Sequence, residues 1–98
     1  MSGVVTVVAT IKAKEGNESE VRAVLEGLLA PTRAESGCLN YDLHVSSECS
    51  RTFLFHENWE SLGHLERHLE SPHLEAFKAR FDELLAEHPA IELFDRIG

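Results

Sequence analysis

Basic residues are scarce in this 98-residue chain: nine Lys and Arg stand against seventeen Asp and Glu, a net charge of −8. Phosphate backbones and anionic membrane surfaces are held by concentrated Lys and Arg, so the balance argues against nucleic acid and membrane as partners. Long apolar runs are missing too. No stretch approaches the roughly 20 residues of a membrane-spanning helix, and the opening MSGVVTVVATIKAKEG lacks the positive start and unbroken apolar core of a secretory signal. Cysteine is limited to Cys38 and Cys49, without metal or redox spacing. One falls at the start of an expected strand and the other in an expected turn, so no disulfide is expected and the expected compartment is a reducing cytoplasm. No linker, repeat or low-complexity segment divides the chain, and 43% apolar with 27% charged residues fits one soluble domain over residues 1–98. A core this small gains from pairing with a second copy.

The residues present give a clear order of elements. Val4 to Ala13 is β-branched and alternating, which predicts a strand. Asn17 with Glu20 has capping-box spacing, and Val21, Val24, Leu25, Leu28 and Leu29 form one helical stripe. Pro31 is expected to kink or shorten that helix and Gly37 to end it. Leu39 to Val45 is a second strand with Leu39, Tyr41, Leu43 and Val45 on one face and Asn40, Asp42 and His44 on the other. A polar turn over 46–50 leads to a third strand, Thr52 to Trp59, so the pair predicts an antiparallel hairpin. Ser61 caps a helix carrying Leu62, Leu65 and Leu69, and Ser71-Pro72 starts another carrying Leu74, Phe77, Phe81, Leu84 and Leu85. His88-Pro89 stops it before a last strand, Ile91 to Ile97. The order β-α-β-β-α(α)-β predicts an α+β, ferredoxin-like fold, a four-stranded antiparallel sheet with helices on one face. The uncovered face then calls for a homodimer.

Four of the six histidines, His56, His64, His68 and His73, fall within 18 residues of one another in the aromatic-rich stretch Phe55 to Phe77. Histidine titrates nearest neutrality, so this stretch suits either deprotonation of an acidic organic molecule or a well-packed strand-to-helix corner. Each residue has a plain packing alternative. Trp59 closes a strand where a core aromatic is expected, Glu57 on the same face suits a structural hydrogen bond, and Tyr41 suits a core position with its hydroxyl satisfied. His68 near a helix end can bond the last carbonyls, and His73 in a first turn can serve the helix start. A metal site is the weaker alternative: His64 and His68 have i, i+4 spacing with His73 nearby, but Gly63 and the break at Ser71-Pro72 make a short platform, and the sequence places no strong carboxylate or thiol ligand with them.

Gly37, Cys38 and Tyr41, then Glu57 and Trp59, then His68, Ser71 and His73 reproduce a pattern of Gly-Cys-x-x-Tyr, Glu-x-Trp and His-x-x-Ser-x-His. In these motifs and in element order the whole chain resembles the antibiotic biosynthesis monooxygenase (ABM) family. The resemblance implies a dimeric α+β barrel and, for its enzymes, oxidation of quinols or polyketide phenols by dioxygen without metal or flavin. Such chemistry requires a base, a dry aromatic pocket and donors for the oxyanion. His68 is the favoured base, with His73 as the second candidate. Trp59, Asn58 and Tyr41 are candidate catalytic donors, with Asn40 beside them on the substrate, and Phe55, Phe77 and Phe81 are candidate walls. One haem-degrading branch of the superfamily resembles the corner but has tryptophan where His68 stands and an axial histidine where Lys78 stands, so no haem, other cofactor or metal is expected. The expected partners are a small aromatic substrate and dioxygen. The competing readings are an isomerase of a small keto or phosphorylated compound and a non-catalytic small-molecule-binding dimer.

Overall fold

Valine, isoleucine and phenylalanine alternating with polar residues build the sheet on which everything else rests. The computed structural model describes residues 3–98. Strand β1 (Val5–Lys12) is central, β2 (Cys38–Val45) and β3 (Thr52–Trp59) form the expected hairpin, and β4 (Ala90–Phe94) lies at the far edge. The sheet order is β2-β3-β1-β4, with every neighbouring pair antiparallel, so the ferredoxin-like arrangement is what forms. Helices α1 (Glu18–Gly27), α2 (Leu29–Arg33), α3 (Leu62–Leu69), α4 (Pro72–Lys78) and α5 (Phe81–Leu84) accompany it. Val7, Ile11, Phe53, Phe55 and Trp59 from the sheet are buried with Val21, Leu25, Leu65, Leu74 and Leu84 from the helices.

The helix starts at Ser61 and Ser71 form as the sequence requires. Ser61 Oγ accepts from the His64 amide at 3.3 Å, and Ser71 Oγ accepts from the Leu74 amide at 3.4 Å, with Pro72 at the first helical position. Asn17 makes no side-chain cap; its Nδ2 donates to the Glu83 carbonyl at 3.2 Å instead, tying α1 to α5. The first helical stripe is interrupted between Gly27 and Leu29, because Pro31 has no N–H for the carbonyl four residues back and the helix steps there. The last stripe likewise breaks after Lys78 into α4 and α5. The final strand ends at Phe94 and not at Ile97, and all five of its residues are exposed.

Two local features set the geometry of the corner. Gly37, which follows α2 and does not directly end it, has φ +83°, a left-handed conformation that costs an L side chain. A Cβ there would lie 2.3 Å from the His64 ring. The second feature is a bulge between Cys38 and Asn40: Cys38 pairs with Trp59 and Asn40 with Asn58, so Leu39 is the extra residue. Leu39 is therefore 53% exposed and does not join Tyr41 on the core face, while Val45 at the other end of β2 is also exposed. On the outer face Thr6 Oγ1 donates to Asn58 Oδ1 (2.5 Å), Asn58 Nδ2 to Asn40 Oδ1 (2.7 Å) and Asn40 Nδ2 to Asp42 Oδ2 (3.0 Å), a row of polar bonds across three strands.

Candidate active site

The strand β3 alternation puts Glu57 and Trp59 on the core face beside Phe55 and Phe53, and helix α3 brings His68 over them. A cavity of ≈ 160 Å³, room for about one aromatic ring, opens between sheet and helices. Tyr41, Phe55, Glu57, His68, Phe77 and Phe81 line it, with Lys78 and His88 also on its wall. Tyr41 and Phe55 stack with ring centroids 4.4 Å apart, and Phe77 and Phe81 meet edge to face at 4.8 Å.

His68 is held from three directions. Its ring lies 4.6 Å from that of Trp59 and 5.4 Å from that of Tyr41, centroid to centroid. Its Nδ1 is 2.7 Å from Glu35 Oε2. A carboxylate on Nδ1 fixes the tautomer with the proton there and leaves Nε2, which has no hydrogen-bond partner among the described residues, as a free base. Burial lowers the His68 pKa against the opposing pull of Glu35, so the imidazole is kept neutral. It does not bond the last helix carbonyls; Ser71 Oγ donates to the His68 carbonyl at 2.7 Å in that role.

Glu57 is 4% exposed, and its Oε1 accepts from the Trp59 indole N–H at 2.9 Å. Burial pushes its carboxyl up to about 7, against the stabilising indole bond and together with the charge of Glu35. Burial and the neighbouring Glu57 carboxylate push the Tyr41 phenol well above its ordinary value. Tyr41 is therefore a neutral hydroxyl, with the buried Thr32 hydroxyl beside it.

The sequence-predicted residues divide into three groups. Tyr41, Phe55, His68, Phe77 and Phe81 meet at the cavity, and Trp59 stands behind it, touching His68 and Glu57. His73 lies off the cavity: its Nε2 is 2.8 Å from the same Glu35 Oε2 that holds His68. Asn40 and Asn58 are on the opposite face of the sheet, bonded to one another, and a strand's alternation keeps them there. His64 has a structural place, its Nδ1 2.7 Å from Ser61 Oγ, and His56 pairs with Asp42 while His44 pairs with Leu54.

Two groups of the site stand out less in the sequence than in the structure. Glu57, whose strand position suits first a structural hydrogen bond or ion pair and second a catalytic role, lines the cavity. Glu35 was not singled out at all, being 33 residues from His68. The pairing of Cys38 with Trp59 carries the turn holding Glu35 to the end of β3 where α3 begins. A carboxylate just ahead of Gly37-Cys38 was the available signal. Glu35, His68 and His73 also put three potential metal-ligand atoms within 4.8 Å of one another. Both imidazole nitrogens, however, sit at hydrogen-bond length from one shared oxygen, so two protons account for the cluster without an ion.

Known proteins share this frame. "Putative monooxygenase Rv0793" of Mycobacterium tuberculosis is 36% identical over 91 residues, 93% of this chain and 89% of that protein. "Probable quinol monooxygenase YgiN" of Escherichia coli is 34% identical over 83 residues, 74% of this chain and 79% of its own length. The crystal structure of PA3566 from Pseudomonas aeruginosa matches with a TM-score of 0.94 and 37% identity, over 100% of this chain and 98% of that one. Residues 4–80, which carry the Glu57–Trp59 pair and the His68–Ser71–His73 corner, match the family model described as antibiotic biosynthesis monooxygenase, and the chain belongs to that family.

Proposed function

We propose that the protein is a cofactor-independent monooxygenase that oxidises a quinol or related small phenol with dioxygen, working as a cytoplasmic homodimer. The observation that carries this reading is the buried His68 imidazole, its ring clamped and its Nδ1 occupied by Glu35, on the wall of an aromatic cavity. Deprotonation by Nε2 turns a phenol into an electron donor strong enough to reduce dioxygen, and the surrounding Phe55, Phe77 and Phe81 keep water from quenching the product. Tyr41 donates to the substrate oxyanion. The family and the names of the relatives support the oxygenase class. Exposed Leu39 and Phe94 at the mouth of an outer-face groove support a second copy as the cover. A phosphorylated isomerase substrate fits less well, since Lys78 on the cavity wall already donates to the Leu69 carbonyl and to Glu75.

The test is oxygen uptake with a panel of one-ring hydroquinones and phenols by chelator-treated, flavin-free protein. Turnover is expected to persist after chelation and to fall about 10²- to 10⁴-fold in His68→Ala, with the fold kept. Inactivity across the panel, or full activity in a folded His68→Ala protein, overturns the reading.

A further inference from the structure

We propose that Glu57 is the acid of the reaction: its carboxyl gives the proton that lets the distal oxygen leave as water when the O–O bond breaks. This rests on the oxygenase reading and adds to it the residue that completes the proton cycle.

The geometry is specific. Glu57 faces the cavity from β3, opposite Val7 of β1 and Tyr41 of β2 in register. One carboxyl oxygen is fixed by the Trp59 indole at 2.9 Å, and the other has no hydrogen-bond partner among the described residues. The same indole ring lies 4.6 Å from His68, so one side chain holds both the acid and the base. The titratable groups around Glu57 are Glu35 and Cys38 at the turn into β2, Tyr41 on β2, His68 on α3, and Lys78 and His88 across the cavity. Burial raises Glu57 to about 7 and lowers His68, and two groups of one site driven in opposite directions take the acid and base roles.

The cycle balances. His68 Nε2 takes the phenol O–H proton, and the phenolate passes electrons to dioxygen, forming a C–O bond at a ring carbon bearing hydrogen. The distal peroxide oxygen takes that proton back from His68. Neutral His68 then removes the hydrogen of the same carbon as a proton, the C–H pair becomes the C=O π bond, and the O–O pair leaves with the distal OH, which accepts the Glu57 proton. His68 returns its proton to Glu57. A phenol and dioxygen give a quinone and water; the ring loses four electrons and dioxygen gains four.

The test compares wild-type protein with Glu57→Gln and Glu57→Asp, measuring kcat, KM, the pH profile and the share of consumed oxygen released as hydrogen peroxide. Glu57→Gln is expected to keep KM within about threefold, to lose about 10²- to 10⁴-fold in kcat, and to release hydrogen peroxide in place of water, a hydroquinone then leaving as its two-electron-oxidised quinone with no oxygen inserted. Wild-type kcat is expected to fall as pH rises past about 7, a fall missing from Glu57→Gln and retained in Glu57→Asp, which recovers part of the rate. A Glu57→Gln protein with wild-type kcat, coupling and pH profile overturns the proposal while leaving the oxygenase reading in place. If Glu57→Gln does not fold, a wild-type kcat that stays level above pH 7 overturns it alone. A wild-type protein that consumes no oxygen with any phenol overturns both.

Discussion

Removing the charge of Glu57 should make the protein's stability less sensitive to alkali, by an amount the structure fixes. The carboxyl is 4% exposed and its pKa is raised from 4.5 to about 7 by burial. The folded state thus holds a proton that the unfolded chain has already released between those values. Stability from this group is full below about pH 4.5 and is lost as pH climbs through 7, and at about 1.4 kcal/mol per unit the loss totals about 3 kcal/mol. Glutamine is nearly isosteric, cannot ionise, and its carbonyl can still accept from the Trp59 indole. Urea unfolding followed by far-ultraviolet circular dichroism, at one protein concentration from pH 5 to 8.5, reads the effect. Glu57→Gln should exceed wild type by about 1 kcal/mol at pH 5, where the unfolded carboxyl is already mostly ionised, and by about 3 kcal/mol at pH 8. His68 contributes with the opposite sign, because its lowered pKa adds stability as pH rises toward the ordinary imidazole value. That contribution is common to both proteins and cancels in the difference. Parallel stability curves across the range would refute the claim that the folded protein resists ionising Glu57.

Glu35→Gln should weaken the hold on His68 without emptying the site: turnover is expected to fall about 10- to 100-fold. The acid limb of its pH profile should move to lower pH, because the hydrogen bond that raises His68 is lost; an unmoved limb would deny Glu35 its positioning role. Gly37→Ala should cost about 3 kcal/mol, combining a left-handed backbone with a Cβ 2.3 Å from the His64 ring. Adding His64→Ala should return the clash but not the backbone part, so an unrelieved double variant in urea unfolding would place the cost elsewhere.

Element order, sheet direction and the caps at Ser61 and Ser71 were legible because each depends on neighbours a few residues apart. Strand alternation also placed Phe55 and Glu57 on one face and Asn58 on the other. The same alternation should have kept Asn58 and Asn40 out of a site shared with Tyr41 and His68, since a sheet separates them. The bulge at Leu39 was not legible, because nothing in Cys-Leu-Asn-Tyr marks which residue goes unpaired. Nor was Glu35, whose meeting with His68 and His73 depends on the register of β2 against β3 and on where α3 begins. A metal site is disfavoured in sequence by the short platform at Gly63 and by the lack of a strong ligand placed with the histidines, and folding brings the Glu35 carboxylate to His68 from 33 residues away.

Trp59 is the chain's single tryptophan. Its indole N–H rests on a carboxyl that changes charge near neutrality, and its face lies against His68. All of the protein's tryptophan emission therefore originates inside the site. Ionisation of Glu57, protonation of His68 or entry of an aromatic guest should each alter the intensity or colour of that emission, so the unlabelled protein carries its own optical gauge of charge and occupancy.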